Sequence, residues 1–217
     1  MHKNVAVILS GCGVYDGSEI YESVLTLLRL DQRGVHVQCF APNIPQLQVI
    51  DHYRGEEMQE SRNVLVEAAR LARGNIKDVR EGRVEDFDAL ILPGGFGAAK
   101  NLSDFAVSGA HCAVQPDVLA FAQAFAQAGK PVGLICIAPA LAAKIYGPGV
   151  LCTIGNDPDT AAALTRMGAQ HEVCAVDEIV VDTQRKLVTT PAYMLAKSIG
   201  ETASGINKLV DRVLELA

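Results

Sequence analysis

Cys136 ends the apolar run Pro131–Ile135, and Ile-Ala-Pro with a stretch rich in helix formers follows it to Tyr146. A cysteine at a strand-to-helix junction meets the unpaired N–H groups of the helix start, which favour thiolate over thiol. Thiolate is the nucleophilic form, so the position points to cysteine chemistry. The plain alternative is a small buried residue at a strand end. A nucleophile elbow wants small residues two positions to either side, because the turn is crowded. Ala138 satisfies this at +2, and Leu134 at −2 does not.

Pro93-Gly94-Gly95-Phe96-Gly97 is the second cluster. Glycines allow a positive φ and a close approach of backbone to ligand. The amides of Gly94 and Gly95, with that of Ile137, are suited to hold a developing oxyanion; a glycine-rich turn is the ordinary reading. An acid is available from Glu19 or Glu22, three apart at a helix start and so on one face. Such residues usually serve the helix as solvated or capping groups. The functional reading buries one carboxyl in the crevice, protonated, where it bonds to the thiolate and relays a proton. Lys100 and Asn101 follow the glycine loop and read as exposed, with substrate contact as the alternative.

Other constellations are weaker. Gly11, Gly13 and Gly17 lie between a strand and a helix, but Asp16 stands where a dinucleotide fingerprint needs its last glycine. The second strand also ends without an acid for a ribose, so no nucleotide cofactor is expected. No histidine follows Cys136 closely. His111 and His171 lie far from it in sequence, and whether either folds back to assist is left open. The cysteines at 12, 39, 112, 136, 152 and 174 form no CxxC pair and no zinc spacing, so neither a metal nor a disulfide framework is expected.

These residues must be positioned by a scaffold. With 217 residues, 49% apolar and 20% charged, the chain can bury a sizeable core. A net charge of −6 argues against a nucleic-acid partner. No apolar run suits a membrane span, and a strand-forming start without a basic leader gives a cytoplasmic expectation. Strands are predicted at 4–10, 35–41, 88–92, 131–136 and 151–154, with a late β-hairpin from 178–182 and 186–190. Helices are predicted at 19–32, 60–73, 98–107, 116–128, 139–146, 159–167 and 197–216. That alternation implies an α/β fold: one domain over 1–217, a mostly parallel sheet and helices on both faces. Ligands of such a sheet sit beyond the carboxyl ends of the strands. The turns after three of these strands, at Gly11–Gly13, Gly94–Gly97 and Cys136, would meet in one crevice.

Four segments in order carry a resemblance: 7–20, 92–102, 136–140 and 188–194. Together they resemble the PfpI-like branch of the class I glutamine-amidotransferase-like superfamily, over essentially the whole chain. The resemblance implies a flavodoxin-like fold, a reactive cysteine at Cys136 and oxyanion donors at the Gly95 and Ile137 amides. It assigns the partner acid to Glu22, twelve residues before Gly34, with Glu19 as the fallback. It places the strand ending at 188–194 beside the site. Ile137 stands where many relatives carry a histidine, which takes away amidotransferase and peptidase chemistry and leaves a Cys–Glu site suited to carbonyls. A cofactor-independent glyoxalase converting a small dicarbonyl to a hydroxy acid, a homodimer and a link to isoprenoid biosynthesis follow as expectations. The alternatives are a thiol redox sensor and a catalytically silent partner-binding protein.

Overall fold

The computed structural model describes residues 3–217. In chain order its strands are β1 (Asn4–Ile8), β2 (His36–Ala41), β3 (Ile50–Asp51), β4 (Glu56–Glu57), β5 (Ile76–Asp78), β6 (Ala89–Leu92), β7 (Val132–Ile135), β8 (Leu151–Cys152), β9 (Gln170–His171), β10 (Val180–Asp182) and β11 (Leu187–Thr190). Its helices are α1 (Ile20–Gln32), α2 (Val64–Leu71), α3 (Phe96–Lys100), α4 (Phe105–Ser108), α5 (Pro116–Gln127), α6 (Ala142–Tyr146), α7 (Pro158–Arg166) and α8 (Ile199–Leu216). Seven strands form the main sheet in the order β10-β11-β7-β6-β1-β2-β5. All its pairings are parallel except β10 with β11.

The inner strands follow from their sequence. Val5-Ala6-Val7-Ile8 is apolar throughout and fully buried, as a strand covered on both faces must be. Alternate residues point to opposite faces. Val5 and Val7 pack with Leu30 of α1 and Val210 of α8. Ala6 and Ile8 pack with Val118 and Phe125 of α5. On that second side Phe40, Phe87, Phe121 and Phe125 meet edge to face, with ring centroids 5.2–6.4 Å apart. Such pairs add roughly 0.5–1.5 kcal/mol each beyond the area they bury. Side-chain caps begin the two longest helices, α1 and α8: Glu19 accepts from the Glu22 amide at 2.6 Å, and Ser198 from that of Glu201 at 3.2 Å.

From β1 the chain runs outward to β2 and β5, then returns to β6 on the other side of β1. Strand order therefore reverses between β1 and β6, and a crevice opens beyond their carboxyl ends. The loop 10–19, the loop 93–95 and Cys136 after β7 all gather there.

The elements depart from the sequence expectation in four places. The predicted helix 98–107 is two short helices, α3 and α4. Asn101 ends the first: its side chain donates to the carbonyls of Ser10 and Asp16, both at 2.9 Å, and accepts from the Leu47 amide at 3.0 Å. Asn101 is accordingly buried, not exposed. The strand predicted at 151–154 is shorter and outside the main sheet, pairing with β9; side chains of Asp182 and Thr189 take the amides of Leu151 and Thr153. The helix predicted at 139–146 is a 3-10 turn, Ala138–Leu141, followed by the five-residue α6. The two- and three-residue strands β3, β4, β5 and β9 were not predicted, being too short for a periodicity. No helix among the described residues is long and apolar enough to cross a membrane.

Candidate active site

β7 delivers Cys136 to the crevice, and the chain turns sharply there. Its φ is +63°, in the left-handed region that L-residues rarely adopt. Such a conformation costs about 1–3 kcal/mol and persists only when its surroundings enforce it. The Cys136 amide donates to the Thr190 carbonyl at 3.0 Å, which ties the elbow to β11. The room it needs comes from Gly94 on the neighbouring loop. A Cβ on Gly94 would lie 2.4 Å from Cys136 Cβ and 2.7 Å from Glu22 Oε2. The small residue sought at position 134 is therefore supplied across the sheet, and Leu134 is free to fill the core.

Glu22, on the first turn of α1, is fully buried. Its Oε2 accepts from the Gly94 amide at 2.9 Å and its Oε1 from the Tyr193 amide at 3.2 Å. The carboxyl lies beside the Cys136 thiol: the two side chains flank the same point at Gly94 and shift one another's titration. Glu19 caps α1 and lines the cleft, and is 7% exposed. Of the two candidate acids, the one beside the sulfur is Glu22.

The amides of Gly95 and Ile137 lie near enough to the sulfur to favour its charged form. Gly94 takes a different part from the expected oxyanion contact, since its N–H is spent on Glu22. Tyr193, which sequence reasoning did not single out, contributes a backbone amide, and no side-chain pattern marks such a role. Ala192 before it has φ +44°, and this kink turns the chain after β11 toward the acid. The segment 188–194 was the sole hint.

Electrostatics correct the expected ionised thiolate. Burial, and next the charge of Glu22, push the Cys136 thiol well above its usual range; the Gly95 and Ile137 amides pull the other way and lose. The helix after the elbow is too short and irregular to supply much dipole. Burial, helped by the charge of Glu19, carries Glu22 up to about 8, against the bonds from Tyr193, Cys136 and Gly94. At neutral pH the pair keeps both protons. Its monoanion, with one proton shared between sulfur and carboxyl, forms as pH rises through about 8.

Val14, Phe96, Phe105, Ile137 and Met194 supply much of the apolar wall of a cleft of about 480 Å³ above the sulfur. No histidine lines it. His111 is exposed on a 3-10 turn, and His171 accepts from the Ile154 amide at 3.2 Å. Within the Gly11–Gly17 loop, the amides of Gly13 and Gly17 bond to the loop's own carbonyls at 2.9 and 2.7 Å. They are not available to cradle a phosphate. Among the described residues no group of His, Cys, Asp and Glu is arranged to hold a metal.

Comparison with known proteins gives this site its relatives. The human glutamine amidotransferase-like class 1 domain-containing protein 3, mitochondrial, is 49% identical over 98% of this chain and 82% of its own length. The rat ES1 protein homolog, mitochondrial, is 48% identical over 98% of this chain and 83% of its own. These names overturn the cytoplasmic expectation, which rested on a strand-forming start without a basic leader, a feature that is not itself a sorting signal. A crystal structure of an isoprenoid biosynthesis protein with amidotransferase-like domain from Ehrlichia chaffeensis superposes with a TM-score of 0.93. It is 39% identical and covers 99% of both chains. The profile of the DJ-1/PfpI family matches residues 6–196, and the chain belongs to that family.

Proposed function

We propose that this protein is a cofactor-independent glyoxalase that converts glyoxal to glycolate, with Cys136 as nucleophile and Glu22 as proton carrier. The observation that carries the reading is the fully buried carboxyl of Glu22 set beside the Cys136 side chain, the two meeting at Gly94. An acid held protonated beside a nucleophile is what an internal redox of a dicarbonyl needs, because protons must leave and return at adjacent atoms.

The steps consume only glyoxal and water. From the monoanion, sulfur attacks one aldehyde carbon, a C–S bond forms and the carbonyl electron pair moves to oxygen. The Gly95 and Ile137 amides hold that oxyanion, and Glu22 protonates it. Glu22, now a carboxylate, takes the hydrogen of the same carbon as a proton. The electron pair left behind forms a C=C bond and moves the second carbonyl's pair onto its oxygen; the second carbon then takes the proton back from Glu22, and the hydroxyl proton of the first oxygen passes to the second. One carbon is thereby oxidised to a thioester and the other reduced to an alcohol. Water hydrolyses the thioester, releasing glycolate and freeing the thiol.

A peroxide sensor would need a low-pKa thiol, and burial with Glu22 carries Cys136 in the opposite direction. The test is glycolate formation by the purified protein. Turnover is expected from the wild type and a loss of at least about a thousandfold in Cys136→Ala. Cys136→Ala converting glyoxal at the full rate would refute the assignment.

A further inference from the structure

We infer that the cleft selects carbonyl partners bearing an uncharged apolar substituent, aryl or branched alkyl, and rejects those bearing an anion. The inference deepens the proposed dicarbonyl chemistry and rests on it for the identity of the reacting group.

Size is the first reason. At about 480 Å³ the cleft lies within the range of sites for far larger ligands, about 300–1,000 Å³. Glyoxal would fill a small fraction of it and leave most of the wall wet. Lining is the second reason. With the aldehyde at Cys136, a substituent would extend over Phe96, Phe105 and Met194. Burying apolar area against these side chains is favourable in proportion to that area.

Charge is the third reason. No lysine, arginine or histidine lines the cleft, whereas Glu19 and Asp157 do. Asp157 caps α7 by accepting from the Thr160 amide at 2.8 Å, and the Thr160 side chain, followed by that amide, holds its carboxyl below the usual range, so it is charged at neutral pH. Lys100, the nearby cation, is turned away: its ammonium donates to the Tyr15 carbonyl at 2.8 Å and sits 5.2 Å from the centroid of Phe96. It belongs to a neighbouring groove with Tyr15, Ile50 and Gly55. An anionic substituent, a phosphate ester or a carboxylate, would therefore enter beside like charge with no counter-ion.

Two measurements on the wild-type protein test this. The first is alkylation of Cys136, followed by mass spectrometry, by N-benzyl iodoacetamide, iodoacetamide and iodoacetate. Each rate is divided by that of free cysteine with the same reagent. The benzyl reagent is expected to gain at least about tenfold over iodoacetamide, and iodoacetate to lose about as much. The second is kcat/KM for phenylglyoxal against glyoxal and against 4-carboxyphenylglyoxal, with phenylglyoxal expected highest by about tenfold or more. Equal normalised rates for the three alkylating reagents overturn the inference, even where glyoxal is turned over. Alkylation selectivity without turnover of any oxoaldehyde supports the cleft's preference and refutes the glyoxalase reading instead.

Discussion

Two cysteines stand at the same edge of the sheet, and only one is equipped. Cys12 follows β1 and is partly exposed; Cys136 follows β7 and is 7% exposed. Burial pushes both thiols up. Cys12 has Glu67, Arg70 and Asp16 near enough to feel their charge, but no hydrogen-bonded acid and no pair of amides aimed at it. Cys136 has a buried carboxyl beside it, two backbone amides that favour its charged form and a strained φ that keeps it on the cleft. The difference teaches that access alone does not distinguish the two cysteines. The neighbouring acid and the surrounding amides do, and the proposed chemistry rests on them.

The sharpest way to break the comparison is to exchange the fates of the two residues. Cys136→Ala is expected to abolish glyoxal turnover, while Cys12→Ala stays within about twofold of wild type in kcat/KM. A large loss in Cys12→Ala would move the site to the β1 edge.

Next in size is the acid. Glu22→Gln is expected to lower kcat by about 10²–10⁴. In the wild type, alkylation of Cys136 by iodoacetamide should rise as pH passes through about 8; the variant should lack that inflection. Stability gives an independent reading. The folded pKa of Glu22 is raised, so folding retains a proton that the unfolded chain releases. Its contribution is full below the ordinary carboxylate range and is lost as pH rises through about 8, on the order of 5 kcal/mol in all. The Tm of wild type relative to Glu22→Gln should therefore fall between pH 5 and 9. An unchanged gap would mean that Glu22 does not hold its proton.

Gly94→Ala tests the room that the elbow borrows. The added methyl would meet Cys136 Cβ and Glu22 Oε2, and a cost of about 1–3 kcal/mol with loss of turnover is expected by thermal melting and assay. The smallest effect belongs to Asn101→Ala. It removes three hydrogen bonds that join the end of α3 to Ser10, Asp16 and Leu47, for about 1–3 kcal/mol, without touching Cys136. Turnover by the folded variant should persist.

Much of this was legible beforehand, for physical reasons. The buried strands β1, β6 and β7 announce themselves as unbroken apolar runs, and Cys136 as the polar end of one. Asp182-Thr183-Gln184-Arg185 between two apolar runs gave the hairpin of β10 and β11. Glu22 was preferred over Glu19 through a resemblance, and the structure puts its carboxyl at the sulfur. What could not be read were effects that exist only after folding. The protonation of Cys136 depends on burial and on Glu22, 114 positions away in the chain. The role of Tyr193 lies in its amide, which every residue but proline has. Asn101 reads as a surface residue until the loop that it clasps is in place.

The acid's two oxygens are gripped by main-chain N–H groups from the loop after β6 and the turn after β11, not by side chains. Donors of that kind do not mutate. Tyr193 can become phenylalanine or leucine without loosening the grip, while a proline there would release it. Relatives that keep the path of these two turns can therefore diverge widely in the letters around the cysteine and inherit the same proton chemistry.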